Sequence, residues 1–364
     1  MLIEGIHYNS ITYLPTEKSI RIIDQRFLPF KLIFRNLSTY EETVTAIRDM
    51  QVRGAPLIGI TAAFGLFLAT TNFPEENLQC YLEEVANKIL TARPTAVNAE
   101  YCVSKVLAST AEYETKLEKR AVALKTALEL LEEERQICLK IGENGLGIIQ
   151  EIADRKGKVN ILTHCNAGWL ACVDYGTITS PIYLARQKGV DLHVWVDETR
   201  PKNQGARLTV WELTQNGVEN CLITDNAGGH LMQKGMVDLV LVGCDRVTRD
   251  GDVANKIGTY LKALAAYENN IPFYVALPSS TIDWKIEDGL KKIPIENRDD
   301  NEVKYVEGWL DKEIKSVLIT TENARVYNPG FDVTPAKYIT GLITERGICE
   351  ANCKGLKKLF PEKK

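Results

Sequence analysis

The sequence lacks the short patterns by which the commonest metal and nucleotide sites are recognised. It contains no C-x-x-C pair, no H-E-x-x-H motif and only four histidines, so a metal ion held by protein ligands is not expected. It also contains no G-x-x-x-x-G-K-[ST] loop and no G-x-S-x-G elbow, which excludes a P-loop and the nucleophile of an α/β-hydrolase. Residues 142–147 carry glycines in the wrong order for G-x-G-x-x-G, so no dinucleotide-binding loop is predicted.

Excess charge and long apolar runs are also missing. The 44 basic and 48 acidic residues give a net charge of −4, which does not favour a protein that coats nucleic acid. The longest apolar run, residues 55–69, is shorter than the ~18–20 residues needed to span a bilayer, so we expect a buried helix there and no membrane partner. No secretory signal is visible, and the nine cysteines are then typical of reduced thiols in the cytoplasm.

Length and periodicity predict two domains. The 364 residues are enough for two at about 150 residues per domain. Residues 1–135 are predicted to form a mainly helical N-terminal domain. Within it, residues 38–41 fit a capping box, Pro74 suits a first helical position, and apolar residues recur at three- or four-residue steps from Leu78 to Ile89.

From residue 158 onward, short apolar runs alternate with helical stretches. This alternation is the signature of βαβ units whose parallel sheet is covered on both faces. We therefore predict that residues 136–364 form a doubly wound α/β domain. The apolar runs cover residues 159–163, 192–196, 221–224, 238–243 and 273–277.

Polar segments follow these runs, at the point where each predicted strand ends. Because ligands bind beyond the carboxyl ends of the strands in an open α/β sheet, we expect the segments to converge on one crevice. Two of them carry Cys165 and Asp245. Taken alone, Cys165 is typical of a small buried apolar residue and Asp245 of a turn cap, but their convergence favours chemistry.

Basic residues near predicted helix starts indicate that the ligand carries an anion. Arg53 precedes a helix whose first turn holds a proline, and an arginine beside uncapped backbone amides suits a phosphate. Arg93 repeats this arrangement, and Asn255 and Lys256 are expected to open the helix that follows Asp245. The residues alone thus predict a phosphate-bearing small molecule, and they do not specify its reaction.

Several ordered blocks of the chain resemble the methylthioribose-1-phosphate isomerase family. That family is related to the regulatory subunits of initiation factor 2B and to ribose-1,5-bisphosphate isomerase. The resemblance implies a helical N-terminal domain, a Rossmann-like catalytic domain and a homodimer. It also implies conversion of 5-methylthio-α-D-ribose 1-phosphate into 5-methylthio-D-ribulose 1-phosphate in methionine salvage. The matching blocks are residues 53–56, 93–98, 164–168, 197–201, 204–209, 243–246, 251–252 and 255–259.

The resemblance also assigns roles to residues. It implies that Asp245 is the proton donor, and we expect it to act as a protonated acid in a largely apolar crevice. Cys165 supports the transition state, either as an electrostatic partner or as a base, and transfer of hydride and passage through an enediol both remain open. No metal or organic cofactor is implied, and the partner is a sugar phosphate. The substrate-binding residues implied are Arg53, Gly54, Ala55, Arg93, Gln204, Asn255 and Lys256.

Two other functions compete with this prediction. The first is an isomerase of 5-deoxyribose 1-phosphate or ribose 1,5-bisphosphate. It stays open because Trp169 and Asp174, just past the Cys165 loop, depart from the commonest family members. The second is a non-catalytic regulatory protein like the initiation-factor subunits. The joint presence of Cys165, Asp245, Arg53 and Arg93 weighs against that alternative.

Overall fold

A computed structural model of the chain describes residues 1–74, 76–93 and 97–363, apart from the side chain of Val97. Two compact units are present. The N-terminal unit comprises Met1–Leu139 and Trp169–Gly176, and the C-terminal unit comprises Lys140–Gly168 and the chain from residue 177 onward. The segment Trp169–Gly176 is grouped with the N-terminal unit although it follows residue 135 in the chain. The predicted domain boundary after residue 135 stays a prediction.

Short strands open the N-terminal unit, where the sequence predicted mainly helix. They are β1 (Leu2–Ile3), β2 (Ile6–His7), β3 (Ile11–Leu14), β4 (Ser19–Ile23) and β5 (Phe34–Leu37). The last three pair in the order β3-β4-β5 into an antiparallel sheet, in which Ile22 lies opposite Ile11 and Arg35. Strands this short give too few alternations of apolar and polar residues for the sequence pattern to reveal them.

Helices follow the strands in this unit. They are α1 (Tyr40–Arg48), α2 (Ala55–Ala69), α3 (Leu78–Thr91), α4 (Val97–Ala111) and α5 (Lys116–Lys156), the last of which extends beyond the unit. The capping box of α1 is formed by Thr39 and Glu42, one residue later than predicted. Helix α3 begins after Asn77, so the prediction that Pro74 opens it was wrong.

Helix α2 forms the centre of the N-terminal core. Every residue from Leu57 to Ala69 is buried, which explains why the helix is apolar on all sides. By length and composition, Ala55–Asn72 is able to cross a membrane, but 78% of it is buried inside the protein, as is usual for a core helix.

The C-terminal unit is built around a seven-stranded sheet in the order β18-β17-β12-β9-β6-β7-β8. All neighbours are parallel except β17 and β18. This order confirms the predicted doubly wound α/β class. The strands are β6 (Lys158–Thr163), β7 (Asp191–Asp197), β8 (Glu219–Ile223), β9 (Leu239–Val242), β12 (Phe273–Ala276), β17 (Gly341–Thr344) and β18 (Gly347–Cys349).

Further elements extend this unit. A second sheet has the order β13-β10-β11-β16, and β14 pairs with β15 as a hairpin. These strands are β10 (Arg246–Thr248), β11 (Val253–Lys256), β13 (Ile282–Asp283), β14 (Tyr305–Leu310), β15 (Glu313–Leu318) and β16 (Phe331–Thr334). The helices are α6 (Thr179–Gln187), α7 (Val210–Gln215), α8 (Ala227–Gln233), α9 (Thr259–Glu268), α10 (Gly289–Lys292), α11 (Asn301–Lys304) and α12 (Cys353–Leu359).

Candidate active site

The strand order brings two predicted site residues to the same part of the sheet. Strands β6 and β9 are neighbours, and the chain leaves β6 towards β7 on one side but leaves β9 towards β12 on the other. This reversal creates a crevice at the carboxyl ends of the strands, where ligands of doubly wound proteins bind. Cys165 follows β6 and Asp245 follows β9.

Cys165 is held in a backbone conformation that few non-glycine residues adopt. Its φ is +65°, in the left-handed region, where such strain is found at functional sites. Its N–H donates to the Thr199 hydroxyl at 2.8 Å, and its carbonyl oxygen accepts from the Thr209 hydroxyl at 2.6 Å. The N–H and the carbonyl group of this strained residue are therefore both paired, and the residue is half-buried.

Asp245 does not have the apolar surroundings that the sequence analysis expected. Its side chain is exposed. Its N–H donates to the Ala254 carbonyl at 2.9 Å, so the backbone continues directly into the pairing of β10 with β11. The apolar residues of β9 end at Val242, and for this reason the carboxyl lies beyond the buried part of the strand.

Lys256 is a buried cation whose environment includes both reactive groups. It lies at the end of β11 and is 5% exposed. Burial lowers the pKa of the ammonium, and the charges of Cys165, Glu302 and Asp245 oppose that shift. The structure thus brings Lys256, Cys165 and Asp245 into one electrostatic environment.

Asn255 lies beside Lys256 but not at a helix start. The sequence placed both residues at the opening of a helix, and this was wrong, because α9 begins only at Thr259. Strand β11 instead pairs with β16, with Asn255 opposite Asp332. The Asn255 amide donates to the Thr259 hydroxyl at 2.9 Å, which fixes the orientation of a side chain that is 5% exposed.

Gln204 offers a hydrogen-bond acceptor. The residue is 8% exposed, and its Oε1 has no partner among the residues that the structure describes. It directly precedes a single π-helical turn, Gly205–Thr209, and such turns are frequent at functional sites. A buried acceptor without a partner suits a ligand hydroxyl.

The predicted anion site of the N-terminal unit is the start of α2. Gly54 is the N-cap with a φ of +89°, and no side chain caps the helix. A Cβ atom on Gly54 would lie 2.4 Å from the Ala171 carbonyl oxygen, so only glycine fits there. The first turn contains no acidic residue, and the half-buried Arg53 immediately precedes this helix terminus. These features suit an anion.

The structure describes only part of the second predicted anion segment. Arg93 follows α3, is half-buried, and donates its N–H to the Leu90 carbonyl at 3.2 Å. Residues 94–96 lie outside the described residues. The role of Arg93 therefore stays a prediction.

Sequence reasoning missed one ion pair near the candidate site. Arg298 donates to the two carboxylate oxygens of Glu302 at 2.9 and 2.6 Å, and both charges act on Lys256. Neither residue follows an apolar run, so the pattern of predicted strand ends does not indicate them. The spacing of opposite charges by four residues was the only signal in the sequence.

Among the residues that the structure describes, two clusters contain the side-chain types that bind metals. In the C-terminal unit, His164, Asp197 and Asp225 lie close together, but the Lys262 ammonium lies 3.1 Å from the Asp197 carboxylate and already supplies a positive charge. In the N-terminal unit, the cluster is Glu134, Cys138 and Cys172. A hydrogen bond with Cys172 and burial hold the pKa of Cys138 well above its usual range, which favours the neutral thiol over a metal-binding thiolate. The absence of a metal or cofactor stays a prediction.

Comparison with known proteins gives consistent matches. The model of the initiation factor 2 subunit family matches residues 51–351. A methylthioribose-1-phosphate isomerase from Desulfatibacillum aliphaticivorans is 55% identical and covers 100% of both chains. One from Brucella anthropi is 52% identical and covers 98% of both.

Solved structures agree with these sequence matches. The 5-methylthioribose 1-phosphate isomerase of Pyrococcus horikoshii has a TM-score of 0.85 and 37% identity, covering 98% of this chain and 96% of that one. A structure titled as translation initiation factor eIF-2B, subunit delta, from A. fulgidus has a TM-score of 0.82 and 37% identity, covering 98% of this chain and 100% of that one.

Proposed function

The chain belongs to the initiation factor 2 subunit family, among its methylthioribose-1-phosphate isomerases, and from this premise we propose the reaction and the residues that perform it. The enzyme is an aldose–ketose isomerase that converts 5-methylthio-α-D-ribose 1-phosphate into 5-methylthio-D-ribulose 1-phosphate. The observation that carries this proposal is the position of Cys165 and Asp245, which follow the neighbouring strands β6 and β9 at the reversal of the sheet.

The chemical difficulty of the substrate explains why an acid is needed. The phosphate on C1 prevents spontaneous opening of the sugar ring to a free aldehyde. As the bond between C1 and the ring oxygen breaks, that oxygen must receive a proton. Asp245 is the donor in this proposal. Because the carboxyl is exposed in the chain alone, bound substrate would have to shield it from water for it to act as a protonated acid.

Hydrogen then moves from C2 to C1, and the substrate gains or loses no atoms overall. Cys165 takes part either as a base that carries a proton or as an electrostatic partner during hydride transfer. Its fixed backbone keeps the thiol in one position for either route. In the route through an enediol, negative charge develops on a substrate oxygen, and the buried ammonium of Lys256 supplies a positive charge that stabilises it.

The remaining side chains bind the substrate. Arg53 and the uncapped amides that follow Gly54 bind the phosphate, as helix termini do elsewhere, and Arg93 adds a second cation. The Gln204 carboxamide oxygen accepts from a sugar hydroxyl, and Asn255 contacts another. We further propose that the enzyme acts in methionine salvage in the cytoplasm, as a homodimer.

Formation of a ketose 1-phosphate by the purified protein tests this function. The 5-methylthio, 5-deoxy and 1,5-bisphosphate substrates are compared by ³¹P NMR, with Asp245→Asn as the impaired variant and the nearby exposed Asp250→Asn as its control. We expect fastest turnover of the 5-methylthio sugar and wild-type rates for Asp250→Asn. Faster turnover of the bisphosphate would change the substrate assigned, and no ketose from any of the three sugars would favour a regulatory protein.

A further inference from the structure

A buried histidine precedes Cys165, and the mechanism above does not use it. His164 is 1% exposed, and Asp197, at the end of β7, is fully buried. The His164 Nδ1 lies 2.8 Å from Asp197 Oδ2, and its Nε2 lies 2.9 Å from the Ile257 carbonyl oxygen. Both ring nitrogens therefore face oxygen atoms.

The protonation state of the ring follows from these partners. A carbonyl oxygen only accepts hydrogen bonds, so Nε2 carries a proton. A neutral ring would then have to accept at Nδ1, which requires a proton on Asp197. The Lys262 ammonium lies 3.1 Å from the same Oδ2 atom, and a cation beside that oxygen favours the ionised carboxylate. The ring of His164 therefore donates from both nitrogens, as only an imidazolium does.

The other charges around the ring also favour a cation. Asp225 Oδ1 lies 3.9 Å from the His164 Nδ1. Asp332, on β16, accepts hydrogen bonds from two backbone amides of the segment that the ring contacts. Burial raises the pKa of Asp332, and those hydrogen bonds and the charges of His164 and Lys262 oppose that shift. Together with Asp197, the carboxyl groups of Asp225 and Asp332 make three acidic groups around the His164 ring and the Lys262 ammonium.

The same strand end fixes both His164 and Cys165. The Cys165 N–H donates to the Thr199 hydroxyl, which in turn donates to the Asp197 main-chain carbonyl at 3.0 Å. The side chain of Asp197 receives the His164 ring. Gly258 allows the ring to approach, since a Cβ atom there would lie 3.0 Å from it. The segment that includes Cys165 is thus anchored through the neighbouring imidazole.

We propose that His164 is a positioning residue for Cys165, held as an imidazolium by Asp197 and the Ile257 carbonyl. It fixes the strained Cys165 segment through the neighbouring strand end, and the position of the thiol depends on that segment. The inference deepens the proposed function, since it rests on the assigned role of Cys165.

The charge on the ring is measured in the wild-type protein. The histidines of the whole protein are labelled with ¹⁵N, and NMR records whether each ring nitrogen carries a proton between pH 7 and 8. His164→Gln identifies the signal where that variant folds, and otherwise signals are assigned by labelled histidine and through-bond correlation. We expect protons on both nitrogens of His164, and a ring with one proton would overturn the proposal.

The effect on Cys165 is tested by its reactivity and by kinetics. His164→Gln and the milder Asp197→Asn are compared with His193→Gln, which removes a histidine paired with Glu219 on the rim of the same sheet. The rate of alkylation of Cys165 by iodoacetamide, followed by peptide mass spectrometry, is expected to change in the two site variants, because a released segment presents the thiol differently, and to stay at the wild-type value in His193→Gln. The kcat of the two site variants is expected to fall by about 100-fold, since small misplacements of reacting groups have effects of that size, with KM changed far less.

The outcomes separate this inference from the function on which it rests. Wild-type protein that turns over no sugar phosphate would overturn the proposed function, while NMR and alkylation would still report on His164. An active enzyme whose kcat and Cys165 alkylation are unchanged in Asp197→Asn would overturn the positioning role. Altered alkylation of Cys165 and a lower kcat in His164→Gln and Asp197→Asn, with wild-type values in His193→Gln, would support it.

Discussion

The start of α2 in the N-terminal unit and the strand ends of the C-terminal unit use different means to prepare a site. At the start of α2, the helix has no capping side chain and no acidic residue, and the arrangement depends on backbone amides and one glycine. At the ends of β6, β7 and β11, titratable side chains are buried, among them His164, Asp197 and Lys256. Binding an anion needs only fixed dipoles, whereas moving protons needs groups whose charge can change.

The largest expected effect is on Asp245, the proposed proton donor in the C-terminal unit. Asp245→Asn keeps the size of the side chain but cannot donate an acidic proton. We expect kcat to fall by ~10²–10⁴, the range typical for loss of a general acid, while substrate binding changes little. Steady-state kinetics and calorimetric binding of the product measure the two quantities. Turnover near the wild-type rate would show that Asp245 only caps a turn.

The next effect concerns phosphate binding by the N-terminal unit. Arg53→Ala removes a charge-assisted hydrogen bond, with an expected loss of roughly 1.5–3 kcal/mol in substrate binding. Because every 1.4 kcal/mol is tenfold, Kd should rise by about 10- to 150-fold. Arg48→Ala is the matched control, since Arg48 is an exposed residue of α1 that pairs with Asp49. Equal affinities in the two variants would remove Arg53 from the phosphate site.

Two glycines with positive φ compare a crowded position with an open one. Gly54 has a φ of +89° and a ψ of 133°, outside the left-handed helical region, and Gly5 has a φ of +82°, so alanine is strained at either position. At Gly5 nothing lies within 4 Å of a new Cβ, whereas at Gly54 the Ala171 carbonyl oxygen lies at 2.4 Å. Urea unfolding should therefore show a larger loss of free energy of unfolding for Gly54→Ala. Equal losses of the free energy of unfolding in Gly54→Ala and Gly5→Ala would mean that the backbone around the start of α2 shifts to accommodate the new Cβ atom.

The smallest expected effect is the pH dependence of substrate binding. Burial lowers the pKa of Lys256 from the usual 10.5, so the ammonium loses its charge at a lower pH than an ordinary lysine. Substrate affinity should therefore weaken as pH rises towards 10, by up to about tenfold. In Lys256→Arg, which stays charged, this alkaline weakening should disappear. If the alkaline weakening of affinity persists in Lys256→Arg but is absent in Cys165→Ser, then ionisation of the Cys165 thiol causes it.

The sequence predicted the doubly wound sheet because its strands are buried on both faces. Strand β9 is a continuous apolar run with all four residues buried, and β6 contains the apolar residues Val159, Ile161 and Leu162; apolar segments of this kind are visible without knowing what they pair with. The same reasoning located Cys165 and Asp245, since both directly follow such a run.

Features that depend on distant partners could not be predicted in this way. Lys256 lies in a strand because β11 pairs with β16, which begins at Phe331, and no local pattern encodes that pairing. The exposure of Asp245 and the ion pair between Lys262 and Asp197 also depend on how separate elements pack. The role of each site residue stays a prediction until it is measured.

The most direct test of the division between phosphate binding and proton donation is a double-mutant cycle with Arg53→Ala and Asp245→Asn. Kd for the substrate and the single-turnover rate at saturation are measured for the wild type, both single variants and the double variant. We expect that Arg53→Ala changes mainly Kd and that Asp245→Asn changes mainly the rate. The free-energy changes of the two variants, both calculated from the ratio of the rate to Kd, should add within about 0.5 kcal/mol in the double variant. A loss of the saturating rate in Arg53→Ala as large as that in Asp245→Asn would contradict this division.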